Sequence, residues 1–258
     1  MEDLEDIYTF LLALILIYNN SLVLLGPTAW GTGVGPRRSF IIAVAGQLLG
    51  ISTSHMSHIH VGTSEFLYIA ALYTALSIAK ISIPISIVGY AIYSLRPDAV
   101  ILWLTSPTVS LIVFPLCKLL KRSDIMILPS LFLLMYVFGY NNVALFSRNI
   151  PLATLAVVVG TYLGLGFSRW VADLAALRPR TVVAINLATI IGAFIGISFN
   201  IPVSFTLVAY SAMLVASLSS SIRLIKIEKF VRAYVGIIIA LIAAAIFPAL
   251  KSLLLSLV

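Results

Sequence analysis

Long apolar runs occupy most of this chain, and only short polar connections separate them. The runs lie at residues 7–25, 39–54, 66–80, 82–95, 99–120, 125–146, 150–167, 181–199, 201–218 and 231–256. About 20 apolar residues are needed for a helix to cross a bilayer, so most of these runs are typical of membrane helices. Only 10% of the residues are charged, against about 25% in soluble domains. The sequence therefore predicts an all-α polytopic membrane protein without a separate soluble domain.

The polar residues exclude several classes of function. Cys117 is the sole cysteine, which excludes an intramolecular disulfide framework and a multi-cysteine metal site. The net charge is +7, but the basic residues are scattered between apolar runs, so no nucleic-acid partner is expected. The inner connections lack the paired carboxylates that a membrane enzyme acting on lipid phosphates would use. We therefore expect no enzyme, no cofactor and no metal centre, and the acidic start favours an uncleaved N-terminus.

Two polar junctions interrupt the apolar runs, at Lys80–Pro84 and at Phe199–Pro202. A proline cannot continue a helix without losing a hydrogen bond. In a membrane, non-helical backbone is tolerated only where it is buried in protein or lines a cavity. Each junction therefore predicts a broken or re-entrant helical hairpin.

Similar short segments recur in the two halves of the chain. The Tyr-Asn-Asn of Tyr18–Asn20 returns at Tyr140–Asn142, 122 residues later. The Ile-Pro-Ile-Ser of Ile83–Ser86 returns as Ile-Pro-Val-Ser at Ile201–Ser204, 118 residues later. Two repeated segments in the same order predict an internal duplication. The first repeat is residues 1–122 and the second is 123–258, with the boundary near Lys121–Asp124.

The membrane topology follows from the number of crossings. Three crossings and one hairpin per repeat make an odd count, so the second repeat is inserted upside down relative to the first. With both termini outside, twelve of the 16 basic residues lie on the inner face, as the positive-inside rule requires. We expect an integral protein of the cell membrane, and a homodimer stays open.

Hydroxyl side chains follow both prolines. Inverted repeats with broken helices are the architecture of secondary transporters, whose half-helix N-termini offer free N–H groups to an anion. Ser86, Ser204 and Thr206 lie at the first turn of the second half-helices, with Ser86 and Ser204 as the symmetric pair. They are predicted to bind an oxyanion. The alternative is that they bond back to their own backbone.

The asparagine pairs place adjacent carboxamides inside apolar runs, where lipid offers them no partner. We predict a helix break at each pair. Asn19 and Asn141 are assigned to the substrate, and Asn20 and Asn142 to the coupling ion. Hydrogen bonds between helices are the alternative.

Basic side chains near the outer face and the first junction are candidate gating residues. His55 and His58 are three residues apart, with His60 close by, and would share a proton if the segment were helical. A pH-sensitive outer gate is one interpretation, and an exposed loop without a specific role is the other. Lys80 either neutralises an anion at the hairpin tip, extends to the membrane surface, or pairs with Glu65.

Four segments together resemble the inorganic phosphate transporter family, which includes the sodium–phosphate symporters. That family carries Gly-Ala-Asn-Asp-Val-Ala-Asn once per inverted repeat and Pro-Val-Ser-Thr-Thr-His at each re-entrant hairpin. The first motif is matched by Ile17–Val23 and Gly139–Leu145, and the second by Pro84–Gly89 and Pro202–Leu207. The resemblance covers most of the chain, although no motif is intact. It implies a compact, divergent member that transports inorganic phosphate or a similar oxyanion by ion-coupled alternating access.

The departures from the family concern the coupling ion. Asn20 and Asn142 stand where the family has aspartate, so the carboxylates expected to hold sodium are missing. The coupling ion is therefore either sodium, by resemblance, or a proton. The first hairpin keeps Ser86 but neither threonine. The alternative function is a channel or a transporter for another solute, such as a cation or sulfate, on the same scaffold.

Overall fold

The computed structural model describes residues 2–120, 123–175, 177–219 and 227–256. Within these ranges every regular element is a helix, which confirms the all-α prediction. The α-helices are α1 (Glu2–Gly31), α2 (Pro36–Thr53), α3 (Thr63–Ile78), α4 (Ile85–Tyr93), α5 (Pro97–Thr105), α6 (Val113–Leu119), α7 (Ser123–Phe138), α8 (Ile150–Gly166), α9 (Pro179–Ser198), α10 (Phe205–Ser219) and α11 (Ile227–Ser256). Lys121 and Arg122, at the predicted repeat boundary, lie outside the described residues.

Shorter helical segments of tighter or wider pitch extend three of these helices. A 3₁₀ segment at Ser106–Ile112 joins α5 to α6, where Pro107 interrupts the α-helical hydrogen bonds. A π-turn at Gly139–Val143 and a 3₁₀ turn at Ala144–Phe146 continue α7. A further 3₁₀ segment, Ser168–Asp173, follows α8. The chain thus forms continuous rods whose local pitch changes at polar or proline-containing positions.

Five helical rods among the described residues are long and apolar enough to cross a membrane. They are Asp3–Gly31, Pro97–Leu119, Ser123–Phe146, Pro179–Ser198 and Ile227–Leu253. Large apolar side chains also lie on the surface: Ile78 is 79% exposed, Ile125 is 74% exposed and Leu119 is 72% exposed. Exposed apolar surface of this extent is unfavourable in water and favourable in lipid. These properties are those of a membrane protein.

The two predicted helix interruptions are present, and both have the same turn. Lys80 has φ 58° and Asn200 has φ 55°, the left-handed conformation that ends many helices. In both turns the next amide donates to the carbonyl five residues earlier at 2.9 Å, from Ile81 to Leu76 and from Ile201 to Gly196. An extended segment follows, and then α4 or α10 begins. We call α3–α4 the first hairpin and α9–α10 the second hairpin.

The structure corrects the register in which the hairpins correspond. The left-handed residues and the starts of α4 and α10 are 120 residues apart, so Ser86 corresponds to Thr206. The prediction that Ser86 corresponds to Ser204 was wrong by two residues. Pro84 is itself the N-cap of α4, whereas Ser204 occupies that position in the second hairpin and accepts a hydrogen bond from the Leu207 amide at 3.3 Å. Alignment on the shared proline gave the wrong correspondence, because Pro84 is the N-cap of α4 whereas Pro202 lies two residues before the N-cap of α10.

Pairs of glycines let helices from opposite halves approach closely. α2 packs on α7 through Gly46 and Gly50, and α8 packs on α1 through Gly160 and Gly164. A Cβ atom at Gly50 would lie 2.2 Å from the Tyr136 carbonyl oxygen. Small residues four apart are the usual means by which membrane helices pack closely. In both halves it is the second helix that supplies the glycine pair.

A buried hydrogen bond connects the two glycine-bearing helices. Gln47 Nε2 donates to Thr161 Oγ1 at 2.8 Å, and both side chains are fully buried. Gln47 directly follows Gly46, and Thr161 directly follows Gly160. The bond therefore joins matching positions of the two glycine pairs and fixes α2 against α8 at the centre of the helix bundle.

Each hairpin packs its extended segment against a long rod from the other half. In the first hairpin, the Ser82 carbonyl lies so close to α11 that a Cβ atom at Gly236 would be 1.9 Å from its oxygen. In the second hairpin, Trp103 Nε1 on α5 donates to the Pro202 carbonyl at 2.6 Å. Ser82 and Pro202 correspond in the corrected register, so the two hairpins are held in equivalent places.

Candidate functional site

Two side-chain hydrogen bonds cross between the halves of the chain and form a buried polar cluster. Asn142 Nδ2 donates to Ser86 Oγ at 2.7 Å, and Thr206 Oγ1 donates to Asn20 Oδ1 at 3.0 Å. All four residues are at most 5% exposed. The helix start of each hairpin is thus bonded to the asparagine of the opposite half.

The second asparagine pair also holds the extended segment of the second hairpin. Asn141 Nδ2 donates to the Ile201 carbonyl at 3.0 Å, and Asn141 Oδ1 accepts from the Val203 amide at 2.9 Å. Asn142 Nδ2 donates to the Val203 carbonyl at 2.9 Å. These side chains replace the hydrogen bonds that the interrupted helix leaves unmade, and so keep the buried backbone satisfied.

The π-turn at Gly139–Val143 carries both asparagines of this pair. Such single wide turns often occur at functional sites. Gly139 fits because α2 lies against it, and a Cβ atom there would be 2.4 Å from the Gln47 carbonyl oxygen. The first pair differs: α1 continues without a break through Asn19 and Asn20. The prediction of a helix break was therefore wrong for the first pair, where Asn20 Nδ2 bonds the Leu16 carbonyl within the helix.

One oxygen of the buried polar cluster has no hydrogen-bond partner among the described residues. Asn142 Oδ1 is fully buried and accepts nothing, whereas Asn20 Oδ1 accepts from Thr206. A buried acceptor without a donor is unfavourable by about 1–3 kcal/mol. Of the two predicted ion-coupling residues, Asn142 is therefore the one with a free ligand atom for a hard cation. No group of three or more metal-binding side chains occurs among the described residues.

In the first asparagine pair Asn20 is buried in the cluster, whereas Asn19 faces open space. Asn19 is partly exposed, and its side chain makes no hydrogen bond to any described residue. It lines a cavity of about 240 Å³ together with Lys80 and Ser82 of the first hairpin. Lys229 and Arg232 of α11 line the same cavity. We call this space the basic cavity.

Sequence reasoning missed the α11 side of the basic cavity. Lys229 and Arg232 are three residues apart on one helix face, although their charges had indicated only membrane topology. The ring centroid of Trp170 lies 4.8 Å from Lys229 Nζ. The i, i+3 spacing of two cations at a helix start was the available signal. Lys80, predicted as a gating residue, lies exposed at the turn, and its carbonyl accepts a hydrogen bond from Arg232 Nη1 at 3.5 Å.

The two hairpins differ in how they meet their asparagines. Asn141 is fully buried and bonded to the second hairpin. Asn19, its counterpart in the first repeat motif, faces the basic cavity that Ser82 also lines. The second hairpin is therefore docked on its asparagine, and the first is separated from its asparagine by open space.

The histidine-bearing segment between α2 and α3 is not helical, so the condition under which His55 and His58 would share a proton is not met. His58 Nδ1 lies 2.8 Å from the Ala144 carbonyl oxygen, and His60 Nδ1 lies 2.9 Å from Glu5 Oε1. The edge of the His55 ring contacts Tyr140. These contacts hold the segment across the end of α7.

Glu65 is held at the opposite end of α3 from Lys80. Its Oε1 accepts from Lys251 Nζ at 2.7 Å, and its side chain is 7% exposed. The alternative that Lys80 pairs with Glu65 was therefore wrong. The ion pair instead joins the start of the first hairpin to the end of α11.

Comparison of the chain with protein-family models, with curated proteins and with solved structures found no match in any of the three.

Proposed function

We propose that the chain is a secondary active transporter of inorganic phosphate or a similar tetrahedral oxyanion, working by alternating access. The observation that carries the proposal is the pair of crossed hydrogen bonds, Asn142 to Ser86 and Thr206 to Asn20. Crossed contacts of this kind bring the first turn of α4 against Asn142 and the first turn of α10 against Asn20, with all four side chains buried. That arrangement is what a substrate site at the interface of two repeats requires.

The halves 1–122 and 123–258 are proposed as inverted repeats. Three matched features support this: the identical hairpin turns at Lys80 and Asn200, the glycine pairs on α2 and α8, and the bond between Gln47 and Thr161. In this proposal α1, α2 and the α5–α6 rod cross the membrane in the first half, α7, α8 and α11 cross it in the second, and each hairpin returns to its own side. Three crossings in each half are an odd number, so the halves have opposite orientations. The distribution of basic residues supports an outside position for both termini.

An anionic substrate is favoured by the groups that surround the buried polar cluster. α4 and α10 both begin beside it, and a helix start presents the positive end of the helix dipole to an anion. Ser86 and Thr206 add hydroxyl groups in the first turn of these helices. No acidic side chain takes part in the cluster's hydrogen bonds among the described residues. A tetrahedral oxyanion, which accepts many hydrogen bonds, suits such donors.

Ser204 and Asn141 are assigned to the substrate in the opposite state of the transport cycle. In the present conformation Ser204 caps α10 and Asn141 holds the second hairpin, so neither has its polar atoms free. Release of the second hairpin exposes both. In the same step Asn19 docks on the first hairpin, bonding its Ile81 carbonyl and Ile83 amide. In one state the second hairpin is bonded to Asn141, and in the other the first hairpin is bonded to Asn19. Alternating access is the change between these two states.

Sodium is the coupling ion that this site favours over a proton. The Asn142 Oδ1 atom offers a buried neutral oxygen without a donor, and the cluster contains no carboxylate that a transported proton would occupy. A site of neutral oxygens lacks the charge that offsets dehydration of the ion. We therefore expect weak sodium binding that depends on the bound oxyanion.

Uptake into liposomes tests the proposal. The purified full-length protein is reconstituted, and uptake of phosphate, sulfate or rubidium is followed under a sodium or a proton gradient. We expect saturable phosphate uptake that Thr206→Val abolishes and Ser211→Ala preserves, because Ser211 only bonds the Leu207 carbonyl of its own helix. Absence of saturable oxyanion flux in every gradient would contradict the proposal. Rubidium flux unaffected by Thr206→Val would support a cation channel.

A further inference from the structure

The basic cavity carries an excess of positive charge. Lys80, Lys229 and Arg232 line it, and none of its described lining residues is acidic. The nearest carboxylate paired with these cations is Glu228, which lies 2.5 Å from Arg232 Nη2 and is 67% exposed. An exposed carboxylate in water neutralises a neighbouring cation only partly. The cavity therefore attracts an anionic group.

Apolar side chains that are not fully buried line the cavity or lie beside it. Leu22, Tyr73 and Ile81 line the cavity and are partly exposed. Phe167 is 64% exposed, and its ring lies 6.4 Å from that of the lining residue Tyr18. In a membrane protein such surfaces contact acyl chains, so the cavity lies beside lipid as well as beside water.

The cations lie near one end of a rod that is long and apolar enough to cross a membrane. Lys229 and Arg232 lie in the first two turns of α11, which begins at Ile227, and the ends of such a rod reach the headgroup region of a bilayer. Trp170 contacts Lys229 through a cation–π interaction at 4.8 Å. Tryptophan is enriched at the membrane–water interface, where its ring is partly apolar and its N–H can be hydrated. Basic pockets between membrane helices on the inner side commonly hold anionic lipid headgroups.

We propose that the basic cavity binds the phosphate group of an anionic phospholipid, whose acyl chains lie along Leu22, Ile81 and Phe167. A free anion would neutralise the cations but would leave the apolar side chains around the cavity in contact with other lipids. A phospholipid places its phosphate against the cations and its acyl chains against those apolar side chains. Lys80 and Ser82 of the first hairpin line the cavity together with Asn19, so the bound headgroup contacts the hairpin in the present conformation. The lipid site is argued from the charge and lining of the cavity and not from the identity of the transported substrate.

Lipid retention by the full-length protein tests the proposal. The protein is purified in a neutral detergent and titrated with phosphatidylglycerol or phosphatidylcholine, and bound lipid is counted by native mass spectrometry. We expect selective binding of phosphatidylglycerol, and a loss of affinity of roughly 30-fold in Lys229→Gln/Arg232→Gln, since each basic side chain contributes about 1 kcal/mol. The matched control Arg38→Gln/Lys118→Gln removes the same charge from exposed positions outside the cavity and should bind as the native chain does.

A charge-preserving variant and a competition with inorganic phosphate complete the experiment. Lys229→Arg/Arg232→Lys keeps both charges and should retain the lipid, which separates loss of charge from misfolding. Inorganic phosphate is titrated alone and in competition with phosphatidylglycerol. Equal binding of both phospholipids, equal losses in the two Gln double variants, or displacement of the lipid by inorganic phosphate at similar affinity would overturn the proposal. The last result would assign the cavity to a free anion.

Discussion

Asn142 Nδ2 donates a hydrogen bond of 2.7 Å to Ser86 Oγ, across 56 residues of chain. Both groups are buried, at 1% exposure each. The bond joins the π-turn of α7 to the first turn of α4, and its counterpart joins Thr206 of α10 to Asn20 of α1. Because each bond spans the two halves, movement of either hairpin requires one of them to break. In the proposed transporter, the buried polar cluster thus connects each hairpin to the half of the chain against which it moves.

The coupling between Asn142 and Ser86 should be measurable as a free energy. Removal of either side chain leaves the other in a site that offers few partners, so Asn142→Ala and Ser86→Ala should each lower the free energy of unfolding. We expect a coupling energy of about 0.6–1.7 kcal/mol from a double-mutant cycle in detergent micelles. The control cycle pairs Asn142→Ala with Ser130→Ala, because Ser130 bonds Asn186 elsewhere in the bundle. Additive losses in the Asn142–Ser86 cycle would contradict the bond.

The glycine pairs should tolerate no added methyl group. A Cβ atom at Gly50 would lie 2.2 Å from the Tyr136 carbonyl oxygen, and one at Gly164 would lie 2.6 Å from Ser21 Cβ. Overpacking of this kind is destabilising by about 1–3 kcal/mol, so Gly50→Ala and Gly164→Ala should lower the midpoint of thermal unfolding. Gly166→Ala is the matched control, since a Cβ atom there meets nothing within 4 Å. Equal midpoints in all three variants would refute the close helix contacts.

Loss of Asn141 and loss of Asn19 should have different effects on the hairpins. Asn141→Ala removes the side chain that bonds the Ile201 carbonyl and the Val203 amide. A buried pair left unsatisfied costs about 1–3 kcal/mol, so hydrogen exchange at residues 200–206 should become at least about fivefold faster. Asn19→Ala removes no such bond in this conformation, and exchange at residues 80–86 should change little. Faster exchange in both hairpins with Asn19→Ala would contradict the asymmetry described above.

A carboxylate at position 142 should strengthen the dependence on sodium. Asn142→Asp places a negative charge at the buried oxygen that now lacks a donor. That charge offsets the dehydration of a bound cation, so the sodium concentration for half-maximal phosphate uptake should fall by about tenfold or more. Asn186→Asp is the control, because Asn186 Oδ1 is also buried without a partner but lies outside the cluster. An unchanged sodium dependence in Asn142→Asp, with uptake that follows the proton gradient, would exclude sodium coupling at this oxygen.

Sequence patterns predicted the elements of the fold more closely than the contacts of the site. The interruptions at Lys80–Pro84 and Asn200–Pro202 were found because proline and polar residues cannot continue a membrane helix. Their correspondence was misjudged, since the position of each proline within its turn depends on how the turn packs against Gly236 or Trp103. The conformation of the histidine segment does not follow from its own residues for a related reason: its hydrogen bonds go to Ala144 and Glu5, which are remote in sequence.

The chain by itself determined where helices form and where they stop. Apolar runs of sufficient length must bury or bond their backbone in lipid, and this local requirement is readable residue by residue. Only the tertiary structure decided which polar groups meet. Ser86 has Asn142 as its partner, Asn19 has open space, and Lys229 and Arg232 approach Lys80 from the last helix. These pairings depend on the close approach of helices at glycine contacts, and helix spacing at that scale is set by packing between distant segments.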